Sequence, residues 1–85
     1  MVKIWVRLVR EEKIAKSWIY TSEENWAPER FYGFVHDICS EMDLPTPLVL
    51  NKHISHFIEF NNAKFLPGDF VESFPYDFLV LENIV

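Results

Sequence analysis

The chain predicts a small α+β domain of order β-β-α-α-β, with a mainly antiparallel three-stranded sheet and two helices on one face. Three patterns predict it. Val2, Ile4, Val6 and Leu8 alternate with Lys3, Trp5, Arg7 and Val9, the period of two expected of a strand with one buried face. Two later segments carry apolar residues at helical spacing, and the run Phe78-Leu79-Val80-Leu81 is uninterrupted, as in a strand at the centre of a sheet. A sheet with both helices on one side is the simplest way to bury two helical stripes against one aliphatic strand face.

A second β-leaning stretch, Ile14 to Tyr20, follows the first strand after the polar Arg10-Glu11-Glu12-Lys13, a connection short enough for a hairpin. Pairing Val9 with Ile14 gathers the aliphatic residues on one face. Ile4 then meets Ile19, and the other face carries Lys3 with Tyr20, Trp5 with Trp18 and Arg7 with Lys16. Arg7 against Lys16 is a like-charge pair. Either an anion or acidic partner screens it, or the strands pair in another register.

Thr21 and Glu24 have capping-box spacing, and a helix is expected from near Pro28 to near Asp43. Its stripe is Phe31, Phe34, Val35, Ile38 and Met42, four turns of one face. Leu44-Pro45-Thr46-Pro47 reads as a stiff linker with Thr46 as cap of a second helix, although residues 47–50 also suit a short strand. Leu50, Ile54, Phe57 and Ile58 form the second stripe, closed at Asn61-Asn62. Leu66-Pro67-Gly68-Asp69 has the residues of a type II turn, and the final strand is expected to pair with the first.

With 85 residues the chain has room for one domain spanning 1–85, and 14 aromatic residues supply the buried area that so small a core needs. One cysteine excludes an internal disulfide framework and favours a reducing, cytoplasmic setting. Lys3, Arg7 and Arg10 interrupt the first apolar residues, so neither a signal-peptide core nor a membrane span is expected. The net charge of −5 disfavours general nucleic-acid binding. Charge is nevertheless uneven: residues 1–20 hold five basic and two acidic side chains, residues 21–85 three basic and eleven acidic.

Among residues able to carry chemistry, His36 with Cys39 and His53 with His56 are two pairs at a spacing of three, enough for a four-ligand zinc site on paper. Each pair flanks its apolar stripe on the opposite rotational side, so two antiparallel helices should turn them apart. Cys39 borders the first stripe and reads as a small hydrophobe, and Asp37 points about 100° away from His36 and cannot orient it. His53 falls inside the second stripe, which suits a buried, hydrogen-bonded imidazole. No GxGxxG, GxSxG, CxxC or HExxH pattern occurs, and two glycines nearly exclude a backbone phosphate cradle. Neither a catalytic residue nor a cofactor is expected.

What remains is a basic, aromatic hairpin face of Lys3, Trp5, Arg7, Lys16, Trp18 and Tyr20. Trp, Tyr and Arg are enriched among binding hot spots. The leading expectation is a non-enzymatic protein-interaction module or small subunit, with a protein partner or a second copy in a homodimer on that face. The alternative is a small ligand or single-stranded nucleic acid on the same residues, held by stacking and phosphate contact. A metal-dependent enzyme comes third.

Overall fold

Alternation produces the first strand as expected. In the computed structural model, which describes residues 1–84, β1 (Val2–Arg10) buries Val2, Ile4, Val6 and Leu8 and leaves Lys3, Trp5, Arg7 and Val9 half covered. β2 (Lys13–Ser22) returns antiparallel over a two-residue turn in which Glu11 and Glu12 both have positive φ, 54° and 66°. Such a turn is normally built from Asn and Gly, because a side chain crowds the backbone there. Two tethers hold it: the Glu11 N–H donates to the Asp77 carboxylate at 2.7 Å, and the Arg10 guanidinium donates to the Pro75 carbonyl.

The hairpin does not keep the expected register. Arg10 pairs with Lys13 and Val9 with Ile14, but Leu8 then pairs with Lys16, so Ala15 is the extra residue of a β-bulge. One extra residue moves every later side chain to the other face. Trp18 lies opposite Val6 and Tyr20 opposite Ile4 on the core side, while Ser17 faces Arg7 and Ile19 faces Trp5 outside. The pairs Arg7–Lys16, Trp5–Trp18 and Lys3–Tyr20 do not form. Burial decides this: Tyr20 is buried, stacks at an angle on Phe34 and donates its hydroxyl to Asp37 at 3.0 Å, whereas the unbulged register would fill the same positions with Ser17 and Ile19.

The sheet has four strands, not three. β4 (Phe78–Asn83) pairs with β1 as expected, and β3 (Asn62–Phe65) adds an outer strand, giving the order β2-β1-β4-β3 with every pair antiparallel. Four residues with two apolar side chains are too short to announce a strand by periodicity, but Ala63 and Phe65 are buried beside Leu81 and Leu79.

α1 (Phe31–Glu41) follows a 3-10 turn at Pro28–Arg30, and α2 (Asn51–Phe60) follows an irregular segment. Thr21 belongs to β2, so it caps nothing. Met42 falls just outside α1, which closes with Asp43 at φ 54° and Leu44 N–H donating to the Cys39 carbonyl. Residues 47–50 are neither helix nor strand; Pro47 is buried, the Leu48 N–H donates to the Asp69 carbonyl, and α2 begins after Leu50 rather than Thr46. Asn61, at φ 62°, ends α2 as its residue type suggests. Pro67–Asp69 is a 3-10 turn, and since Gly68 does not adopt a positive φ the type II reading does not hold.

Both helices cover the same side of the sheet. Phe34 of α1 meets Tyr20 of β2, His53 of α2 meets Phe65 of β3, and Phe31, Phe57 and Trp26 join the two helices in an aromatic cluster. No helix among the described residues is long and apolar enough to cross a membrane. The opposite side of the sheet is covered by neither helix.

Candidate interaction face

That bare side is composed of the positions that alternation assigns to water. An antiparallel sheet with one solvated face normally places polar residues there. Here β1 contributes Trp5 and Val9, β2 contributes Ile14 and Ile19, and β4 contributes Phe78 and Val80. Ile14 and Ile19 are 53% and 50% exposed, and the other four are half covered. Six apolar side chains at solvent positions of one sheet face are a surface feature that calls for an explanation.

Charge on the face is ordered. Arg7 lies between Trp5 and Val9 on β1, with Nη2 3.0 Å from Glu82 Oε1 on the adjacent strand and its guanidinium 4.1 Å above the Trp5 ring. The pair is partly covered, and the cation–π contact with Trp5 adds to what an exposed ion pair contributes, about 0–1 kcal/mol. Lys64 of β3 reaches across β4 and holds its ammonium 4.2 Å over the Phe78 ring. Both exposed aromatic rings therefore have a cation against one face. Counting Lys3, Arg7 and Lys64 against Glu82, the face is +2, and the rest of the chain, with five basic and twelve acidic residues, is −7.

Of the six residues that hairpin reasoning grouped, the structure keeps Lys3, Trp5 and Arg7 on the open face and turns Lys16, Trp18 and Tyr20 to the helix side. Tyr20 is part of the core, where burial, followed by the hydrogen bond to Asp37 and that carboxylate's charge, pushes its hydroxyl up to about 12. Val9, Ile14, Ile19, Phe78 and Val80 are the residues that sequence reasoning missed. Val80 and Phe78 belong to an uninterrupted apolar run whose two faces look equally buried from sequence, and Ile19 was displaced by the bulge.

The four weak metal candidates do not converge. Cys39 is buried in the core, where desolvation pushes its thiol up to about 11, and His36 is exposed three residues earlier on α1. His53 and His56 line a separate cavity of about 260 Å³ with Lys52, Ala63, Lys64, Leu66 and Asp69. Their hydrogen bonds define what each imidazole can do. His53 Nδ1 accepts the Leu50 N–H at 2.9 Å, so Nε2 carries the proton and faces Asp69 Oδ2 at 3.6 Å, leaving no free lone pair for a metal. His56 Nδ1 lies 2.8 Å from the Asn62 carbonyl, which only accepts, so His56 is the donor there and keeps a single free lone pair at Nε2. No three His, Cys, Asp or Glu side chains among the described residues are placed to hold a metal ion. Another cavity, about 540 Å³, is lined by Ser40, Asp43, Leu44, Pro45, Glu72 and Ser73, with no imidazole or cation among them to work with its carboxylates.

His53 has a measurable consequence. Burial lowers its pKa below 6.5, with Lys52 acting in the same direction and Asp69 opposing. The unfolded chain then binds the proton more readily than the folded one, so the contribution of neutral His53 is complete above pH 6.5 and is lost as pH falls through the folded-state value. Urea melts between pH 7 and 5 are expected to show stability falling with pH, and His53→Gln, which has no proton to take up, is expected to flatten that slope. An equal slope in the variant would assign it to other groups.

No protein-family model, no curated protein and no solved structure matches the chain.

Proposed function

We propose that the chain is a non-enzymatic protein-interaction module whose partner docks on the open face of the sheet. The observation that carries this reading is the set of six large apolar side chains at solvent positions of a sheet already covered on its other side. Trp5, with Arg7 stacked on it and Lys3 beside it, has the residue types of a hot spot, and Ile14, Ile19, Phe78 and Val80 supply the apolar surround. The cytoplasmic placement rests on cysteine usage, with one buried thiol and no disulfide partner.

Single-strand nucleic acid is the competing ligand for a basic, aromatic sheet. Stacking platforms need open ring faces, and here Arg7 and Lys64 each occupy one face of a ring, on a molecule that is −5 overall. A metal-dependent enzyme has less support, since the four candidate ligands lie in separate places.

The test is capture of partners by tagged full-length protein in its own cell. Trp5→Ala combined with Ile19→Asp is expected to release a partner that Tyr32→Ala, an exposed aromatic change on α1, retains; both variants should keep the parental circular dichroism. Retention by the double variant would remove the face from consideration.

A further inference from the structure

We infer that the occupant of the open face is an acidic amphipathic helix of a protein partner. The inference rests on the docking reading above and adds the chemistry of what docks. Three observations converge on it.

Backbone satisfaction comes first. The inner strands β1 and β4 are paired on both sides and β2 and β3 are open only at the sheet's edges, so a segment laid across the face finds side chains and no free peptide groups. A buried backbone must be hydrogen-bonded. A helix meets that requirement by itself, whereas an extended segment would have to join a sheet edge. Both edges are poorly suited to that. β2 has the Ala15 bulge, with Lys13 and Lys16 beside it, and β3 is four residues long, with its Asn62 carbonyl already accepting from His56.

Dimensions agree with a helix. Ile14, Val9 and Phe78 form a row across three neighbouring strands, a span of about 10 Å. Trp5 lies four residues from Val9 along β1, about 13 Å. Apolar residues separated by two turns of a helix are about 11 Å apart, so one helical stripe reaches both ends of the patch.

Sign of charge selects the partner. The face is +2, with Lys3 and Lys64 near its margins and Arg7 central, and two such faces brought together by a two-fold axis would set like charges against each other. The chain's own acidic surface lies elsewhere, so using it would build an open, head-to-tail array rather than a closed dimer. An acidic flank on a separate helix meets Lys3 and Lys64 while its apolar stripe covers Trp5, Val9, Ile19 and Val80. The capped rings of Trp5 and Phe78 weigh against a nucleic-acid occupant of the same charge.

Two synthetic helices of about five turns decide the matter, one with a leucine stripe flanked by glutamates and one with lysines replacing those glutamates. They are titrated into isotope-labelled full-length protein while backbone amide signals are followed. The glutamate helix is expected to move the signals of Trp5, Val9, Ile19 and Val80, with an affinity that falls about tenfold between 0.1 and 1 M salt as the Debye length shrinks from about 10 to 3 Å. Lys3→Glu with Lys64→Glu should weaken the glutamate helix by about tenfold and admit the lysine helix, a swap that a purely structural role for these side chains would not produce. Equal binding of both helices to the parent overturns the charge selection and leaves the docking face standing. A chain that is dimeric in solution and becomes monomeric with Ile19→Asp replaces the helix by a second copy, and a single-stranded oligonucleotide that moves the same signals more tightly replaces it by nucleic acid. Absence of any shift overturns the helix, with the docking face then judged by cellular capture. Shifts confined to α1 and α2 overturn the helix and the docking face together.

Discussion

Phe31→Ala is expected to cost about 3–5 kcal/mol, the range for removing a large aromatic side chain from a packed interior. Phe31 is fully buried at the start of α1, where its ring lies 4.9 Å from Phe57 and 5.8 Å from Trp26. It therefore joins α1, α2 and the loop after β2 at one point. A chain of 85 residues has a total stability of roughly 4–13 kcal/mol, so the loss takes a large share of the margin. Urea denaturation followed by tryptophan fluorescence and circular dichroism would read it directly. Tyr32→Ala, one position on and 54% exposed, should stay within about 1 kcal/mol. A cost for Phe31→Ala no larger than that of Tyr32→Ala would mean that the aromatic cluster is not the centre of the fold.

The contrast between these neighbours follows the helical stripe, which was legible without a structure. Phe31, Phe34, Val35 and Ile38 fall on one face at the spacing of a helix, and all four are buried. Alternation in β1 was equally legible, and the β1–β4 pairing followed from the apolar run at the end of the chain. What was hidden depends on choices between nearly equivalent local arrangements. Ala15 has no glycine or proline beside it to announce a bulge, and only the competition for core space between Trp18 with Tyr20 and Ser17 with Ile19 decides for it. Glu11 and Glu12 enter the left-handed region although neither residue type favours it, because a two-residue connection between twisted strands requires that geometry. β3 forms because α2 ends beside an open edge of β4, a tertiary circumstance that Asn62–Phe65 do not signal. Half of the six hairpin residues grouped on one face, Lys16, Trp18 and Tyr20, lie on the other, and the five apolar residues of the open face that were not among the six, Val9, Ile14, Ile19, Phe78 and Val80, come from three strands.

Two-facedness is most sharply tested on β4, where residues 78–81 are all apolar and sequence alone treats them alike. Leu81 is fully buried and pairs with Val6 and Ala63 under the helices; Val80 pairs with Arg7 and Lys64 on the open face. Leu81→Ala is expected to cost about 2–5 kcal/mol, since the removed atoms leave a cavity among side chains that cannot close over it. Val80→Ala removes fewer atoms, and the space left opens to solvent, so its cost should be below about 1 kcal/mol. Parallel urea titrations with unchanged denaturant slopes give the comparison. A Val80→Ala cost equal to that of Leu81→Ala would mean that something within the chain packs on the outer face, and the surface proposed for a partner would not be free to receive one. The same variant separates stability from docking: if a partner covers Val80, Val80→Ala weakens capture while leaving the melt nearly unchanged, and Leu81→Ala does the reverse at any temperature where it remains folded.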